Sequence, residues 1–153
     1  MFRFERDALK LLPDGAFVRR VDVRFQDVDA AGIIFYARVL DYFHDAYVDF
    51  LARTGFPLHE ALSGPWIAPI RHAEADYLKP MRFGDRIGVA LVAAHLEPAE
   101  EPTEVTIGYR IARVADGELA AVGQTVHTFV DAATFRRTPI PEPLRNALKA
   151  LSA

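Results

Sequence analysis

The sequence predicts an α+β protein in which an antiparallel sheet of five strands wraps around one long helix. Three observations carry that expectation. A stretch from Tyr36 to Thr54 has helical period, an alternating segment stands before it, and four strand-like segments separated by turn residues follow it.

The first strand is read in "AFVRRVDVRF", where Phe17, Val21, Val23 and Phe25 share one face that Arg19 interrupts. Pro13-Asp14-Gly15 is the turn before it. In the helix, Val39, Leu40, Phe43, Ala46, Tyr47, Phe50 and Leu51 recur at steps of three and four, with Asp41, Asp45 and Asp49 on the opposite stripe. Gly55 ends it, and Phe43 and Tyr47 read as core. A turn of helix in "PLHEAL" and a break at "SGP" lead into strands at about 66–79, 85–97, 103–114 and 118–130. The connections Met81–Gly84, Glu97–Pro102 and Ala115–Gly117 suit hairpins, so the four strands read as a meander. A brief helix in "TPIPEPLRNALKAL" closes the chain. Strands such as "IGVALVAA" and "ELAAVGQTVHTFV" are apolar or small on both faces, which one helix cannot cover. The outer sheet face, or an edge, is therefore expected to be buried in a homo-oligomer.

Composition removes most chemistries. One domain over residues 1–153 is expected from the length. Eighteen basic against 21 acidic residues give no basic surface for nucleic acid. No stretch approaches the ~18 apolar residues of a membrane span, and the N-terminal "MFRFERDALKLL" is charged throughout, so a cytoplasmic location without a membrane partner is expected. Cysteine is absent, which excludes thiolate nucleophiles and disulfides. The two serines, Ser63 and Ser152, lie in no nucleophile elbow. Neither a phosphate-binding Gly-Lys-Ser/Thr loop nor a dinucleotide glycine pattern occurs. The five histidines show no i, i+4 pair. His72, Glu74 and Asp76 alternate along one strand face and read as a solvated polar face rather than a metal site. No cofactor and no metal are expected, which leaves a carboxylate as the reactive group.

The candidate carboxylate stands in "QDVDAAGIIFY", residues 26–36, where two acids one residue apart precede the helix. A helix start directs unpaired N–H groups outward and adds a partial positive charge. A substrate carbonyl could accept from the N–H groups near Phe35 and Tyr36 while the Asp29 carboxylate, or a water it activates, approaches the carbon. Gly32 would let a ligand reach the backbone. The same residues also fit Asx turns at Asp27 and Asp29, with Gly32 relieving a bend.

The run "VRFQDVDAAGIIFYARVLDYFHDAYVDFL" resembles the active-site strand, loop and helix of hotdog-fold acyl-CoA thioesterases of the 4-hydroxybenzoyl-CoA thioesterase family. "HAEADYLKPMRFGDRI" and "FRRTPIP" extend the resemblance over about residues 18–145, leaving residues 1–13 as an N-terminal extension. Within the family the chain is most similar to 1,4-dihydroxy-2-naphthoyl-CoA thioesterases, which implies an aromatic acyl group. The resemblance implies a hotdog fold, Asp29 as catalytic carboxylate with Asp27 as a structural neighbour, and the Tyr36 N–H as oxyanion donor. It also implies a homodimer or dimer-of-dimers tetramer with active sites at the subunit interface. Coenzyme A is then part of the substrate, with Arg136 and Arg137 as candidates for its phosphates, although solvated surface arginines are the alternative. The turn "LEPAEEPTE" departs from relatives that are basic there. Phe35, Tyr36 and Trp66 are candidates for the acyl pocket.

A thioester suits a site with only a carboxylate, because a thiolate of pKa near ~8.5 leaves more readily than an alkoxide or amine. Asp29 could attack directly or deprotonate water, and the sequence leaves both routes open. Two other hotdog functions compete: a dehydratase of hydroxyacyl thioesters, which needs a histidine paired with an acid, and an acyl-CoA-binding module, which needs no carboxylate.

Overall fold

Val39, Phe43, Ala46, Tyr47, Phe50 and Leu51 are all buried on one face of a single 16-residue helix, and the sheet curls around that face. A computed structural model describes residues 1–151 and holds β1 (Phe17–Asp22), α1 (Arg38–Arg53), α2 (Leu58–Ala61), β2 (Trp66–Ile67), β3 (Ile70–Tyr77), β4 (Arg86–Glu97), β5 (Glu104–Arg113), β6 (Leu119–Thr128), β7 (Val130–Asp131) and α3 (Glu142–Ala150). Ser152 lies outside the described residues. Five strands form one antiparallel sheet in the order β1-β4-β5-β6-β3, and β2 pairs with β7 apart from it. This is the expected α+β hotdog architecture of five strands around one helix.

The α1 face packs on inward residues of β4, β5 and β6, and Phe43 stacks on Tyr109 with centroids 4.6 Å apart. Burying each such Phe or Leu contributes roughly 1.5–3 kcal/mol, so this seam holds the helix in place. Gly123 on β6 permits the approach: a Cβ there would collide with the Glu74 carbonyl oxygen and the Phe43 ring. The sequence places the helix end correctly, since Gly55 takes φ +96°, a conformation that favours glycine.

The meander is corrected in part. Strands β4, β5 and β6 follow one another as expected, but β3 lies at the far edge, paired with β6 rather than β4. The Met81–Gly84 connection is therefore a crossover past the sheet end, not a hairpin. Pro69, which has no N–H to donate, separates β2 from β3 where one strand was expected, and the strand expected at 118–130 breaks between Thr128 and Val130. Phe25 is also corrected: β1 ends at Asp22, and Phe25 sits in a short 3-10 turn, 75% exposed.

The outer sheet face finds a cover within the chain. Residues 1–12 cross it, with Arg6–Lys10 as a 3-10 turn and Leu9 buried against Ala90, Val92 and Val122. Gln124, buried on β6, accepts from the Phe4 N–H at 2.7 Å and donates to the Phe4 carbonyl at 3.1 Å. Phe2 stacks on His95 at 3.7 Å, and Arg110 donates to the Lys10 carbonyl at 2.8 Å. Arg3 pairs with Glu74 at 2.7 Å, and His72 lies 2.9 Å from the same carboxylate. The face read as solvated is thus partly covered by the N-terminal segment.

Candidate active site

Asp27 and Asp29 are separated by one residue and face opposite environments. Asp27 is fully buried: its carboxylate accepts from the Arg24 N–H at 3.0 Å, from the Arg24 guanidinium at 3.0 and 3.2 Å, and from the Tyr42 hydroxyl of α1 at 2.9 Å. Burial alone would raise its pKa, but the bonds from Arg24 and Tyr42 outweigh that cost and hold it below the usual carboxylate range. Burial, then the bond to Asp27, pushes Tyr42 well above the usual phenol range. Asp27 therefore ties the loop to the helix, as its reading as structural neighbour requires.

Asp29 opens a tight turn. Its carbonyl accepts from the Gly32 N–H at 2.9 Å, its own N–H donates to the Ile33 carbonyl at 2.9 Å, and Oδ1 accepts from the Ala31 N–H at 2.8 Å. Gly32 takes φ +78°, so its conformation, more than its lack of bulk, explains a glycine there. The Asx turn and the exposed carboxylate coexist: Oδ2 has no hydrogen-bond donor among the described residues. Asp29 lines a cavity of about 440 Å³ together with Ile33, Tyr36, Tyr77, Lys79 and Met81. Lys79 is its one basic lining residue and was not singled out from sequence; only its place two residues beyond the end of β3 could have pointed to it.

The N–H assignments need one correction. Phe35 donates to the Asp27 carbonyl at 2.8 Å and is spent on holding the loop. Among the described residues the N–H groups of Tyr36 and Ala37 have no acceptor, so the free donors at this helix start belong to Tyr36 and Ala37. Phe35 is 44% exposed beside Tyr36, their rings 4.8 Å apart, and is not among the cavity's lining residues.

The remaining candidates lie elsewhere in the chain. Trp66 packs between Phe56 and Phe129 at 6.2 and 5.1 Å and lines a separate apolar cavity of about 140 Å³ with Tyr47 and Leu62. Arg137 lies 3.6 Å from Glu104, whose carboxylate Arg71 also approaches at 3.4 Å, so its charge is already answered. Arg136 is exposed at the turn after β7. Phe43 and Tyr47 are core residues, and His127 is buried behind Tyr47, 2.8 Å from Thr125 Oγ1. No histidine lines the Asp29 cavity, which removes the residue a dehydratase would need there.

The sheet around one helix defines the fold class, and similarity to known proteins, rather than the carboxylate, defines the chain as a thioester hydrolase of the hotdog fold. The chain belongs to the Thioesterase-like superfamily, whose profile matches residues 23–148. It is 35% identical to a 1,4-dihydroxy-2-naphthoyl-CoA hydrolase of Synechococcus elongatus over 83% of this chain and 90% of that protein. A solved 1,4-dihydroxy-2-naphthoyl-CoA thioesterase from Synechocystis superposes with a TM-score of 0.79 at 27% identity, covering 88% of this chain and 96% of the other. A gentisyl-coenzyme A thioesterase superposes with a TM-score of 0.71 at 25% identity, covering 86% and 98%. No helix among the described residues is long and apolar enough to cross a membrane.

Proposed function

We propose that this chain is a cytoplasmic enzyme that hydrolyses acyl-CoA thioesters with an aromatic acyl group, using Asp29 as general base. The observation that carries the reading is the unpartnered Oδ2 of Asp29 on a cavity that Tyr36, with its free N–H, also lines. Asp29 takes a proton from water as the water oxygen bonds to the thioester carbon. The Tyr36 and Ala37 N–H groups receive the alkoxide, an arrangement worth roughly 3–4 kcal/mol in comparable acyl transfers. The alkoxide collapses, the C–S bond breaks, and the thiolate takes the proton from Asp29, leaving the free acid and coenzyme A. Direct attack is disfavoured because a carboxylate of pKa ~4 would be expelled before a thiolate of ~8.5. The aromatic preference rests on the named substrates of the relatives and on the exposed rings of Phe35, Tyr36 and Tyr77 around the loop.

In this reading the enzyme is a homodimer, or a dimer-of-dimers tetramer, with sites at the subunit interface. Arg136 and Arg137 are then the candidates for the coenzyme A phosphates and Trp66 for the acyl pocket, although none of the three lines the Asp29 cavity of its own chain. No cofactor is required, since coenzyme A arrives with the substrate. Asp29→Asn tests the reading: it is expected to lower kcat at least ~100-fold on aromatic acyl-CoA substrates with the unfolding midpoint unchanged. Near-parental turnover ends the assignment. Single turnover in isotopically labelled water, followed by mass analysis of the Asp29 peptide, gives no label in the side chain if water attacks directly. Label in the carboxylate overturns the general-base role.

A further inference from the structure

The strand β3 ends in Tyr77, which shares the Asp29 cavity, and its hydroxyl donates to the Tyr36 carbonyl at 2.6 Å. That carbonyl belongs to the peptide unit whose N–H is carried by Ala37. We infer that Tyr77 is a positioning residue for hydrolysis: it polarises and fixes the Tyr36–Ala37 peptide so that the Ala37 N–H receives the oxyanion. The inference rests on the hydrolytic reading above and adds to it the residue that sets one of its two donors.

The wiring supports this. The Tyr36 carbonyl receives the Tyr77 hydroxyl and only a long 3.4 Å contact from the Val39 N–H, so the tyrosine is its principal donor. A carbonyl that accepts a short hydrogen bond shifts electron density away from the N–H of the same peptide and makes that N–H a stronger donor. The neighbouring peptide is also held, since the Phe35 carbonyl accepts from the Arg38 N–H at 2.9 Å while the Tyr36 N–H stays free. Among the described residues two successive N–H groups are thus left without an acceptor while the carbonyls of both peptides are occupied.

Tyr77 is itself well anchored. It pairs in register with Ala121, and the two N–H groups that follow it, on Leu78 and Lys79, both donate to the Ala120 carbonyl at 2.8 and 3.2 Å. The phenol thereby ties the sheet edge to the helix start, beside the Ile34 N–H bond to the Met81 carbonyl at 2.8 Å. Its ring is half-exposed, so packing alone does not account for a tyrosine at this place. Partial burial, then the neighbouring Tyr36, push its pKa above the ordinary phenol value, which keeps the hydroxyl protonated and able to donate.

Removing an oxyanion donor outright costs about a hundred- to thousandfold in rate. Weakening one by the 10–30% that a cooperative bond supplies scales, on a logarithmic axis, to about a two- to eightfold loss. The test measures kcat and KM for an aromatic acyl-CoA with the full-length parent, Tyr77→Phe, and Asp29→Asn. Tyr77→Phe is expected to lower kcat by about two- to eightfold with KM moved less than about twofold. A fluorotyrosine series at position 77, assayed at mildly acidic pH where every phenol stays protonated, is expected to raise kcat as the phenol becomes more acidic. A packing role would leave that series flat. Parental kcat in Tyr77→Phe, a loss confined to KM, or a flat series overturns the inference while an inactive Asp29→Asn leaves the hydrolytic reading standing. If Asp29→Asn is also fully active, hydrolysis at this site falls, and the role of Tyr77 falls with it.

Discussion

Replacing Asp27 by asparagine tests the structural half of the Asp-x-Asp motif. The substitution keeps the size of the side chain but removes its charge and turns one acceptor into a donor facing Arg24 or Tyr42. Hydrogen bonds to a buried charge contribute about 1.5–3 kcal/mol each. The Arg24 side chain is 60% exposed, so its share is discounted for screening, and the Tyr42 bond dominates. The expected loss is about 2–3 kcal/mol, or a fall in Tm of roughly 4–12 °C for a chain of this size. Urea unfolding at neutral pH measures it. Because the folded pKa of Asp27 is depressed, its contribution is present above the unfolded value near ~4 and is lost as pH falls through the folded value. The gap between parent and variant should therefore close below pH ~4. A neutral-pH loss under ~1 kcal/mol, or a gap that persists in acid, refutes the reasoning.

Deleting residues 1–12 bares Ala90, Val92 and Val122 and loses the burial of Leu9 and Phe4. The expected cost is about 3 kcal/mol in urea unfolding, with a rise in mass by light scattering, and an unchanged midpoint and mass would count against the cover. His127 is fully buried, and desolvation, then the nearby His44, push its pKa down to about 3. Unfolded chains bind a proton there below ~6.5 and the folded chain does not, so folding stability declines from that pH toward about 3. Imidazole NMR at pH 5 should show His127 neutral, and a protonated ring would refute its burial.

What the sequence made legible was local and periodic. The helix shows in its three- and four-residue steps, its end in Gly55, and the hairpin at Asp116-Gly117 in glycine chemistry that the structure repeats with φ +69°. Partner choice was not legible. Nothing in "IRHAEADY" distinguishes pairing with β4 from pairing with β6, because alternation fixes which side chains share a face and not which strand lies alongside. The motif at 26–36 announced an acid near a helix start, but the spending of the Phe35 N–H on the Asp27 carbonyl depends on the loop's closure. Residues 1–12 were opaque for another reason: Phe2, Phe4 and Leu9 follow no strand or helix period, and their order comes from the sheet beneath them.

The cover formed by residues 1–12 moves the place where a second subunit is expected. Four exposed aromatic rings stand along the 25–36 loop and the 81–84 turn, with Tyr77 beside them. Phe25, Phe35, Tyr36, Tyr77 and Phe83 are 75, 44, 67, 50 and 59% exposed, and Phe25 meets Phe83 edge-on at 5.8 Å. At 150–250 Å² per aromatic side chain, these rings expose roughly 500 Å², a patch of the size that marks an interface and a large part of the ~800 Å² each partner contributes. Strand β3 beside it has one unpaired edge, which invites a further strand. A dimer formed here would close over Asp29 rather than over the outer sheet face. Ile70→Lys with Phe83→Glu places charge on that edge and rim, outside the residues that line the Asp29 cavity, and is expected to give monomers by light scattering that lose at least ~10-fold in kcat/KM. A monomeric variant with parental activity would show that one chain holds the whole site.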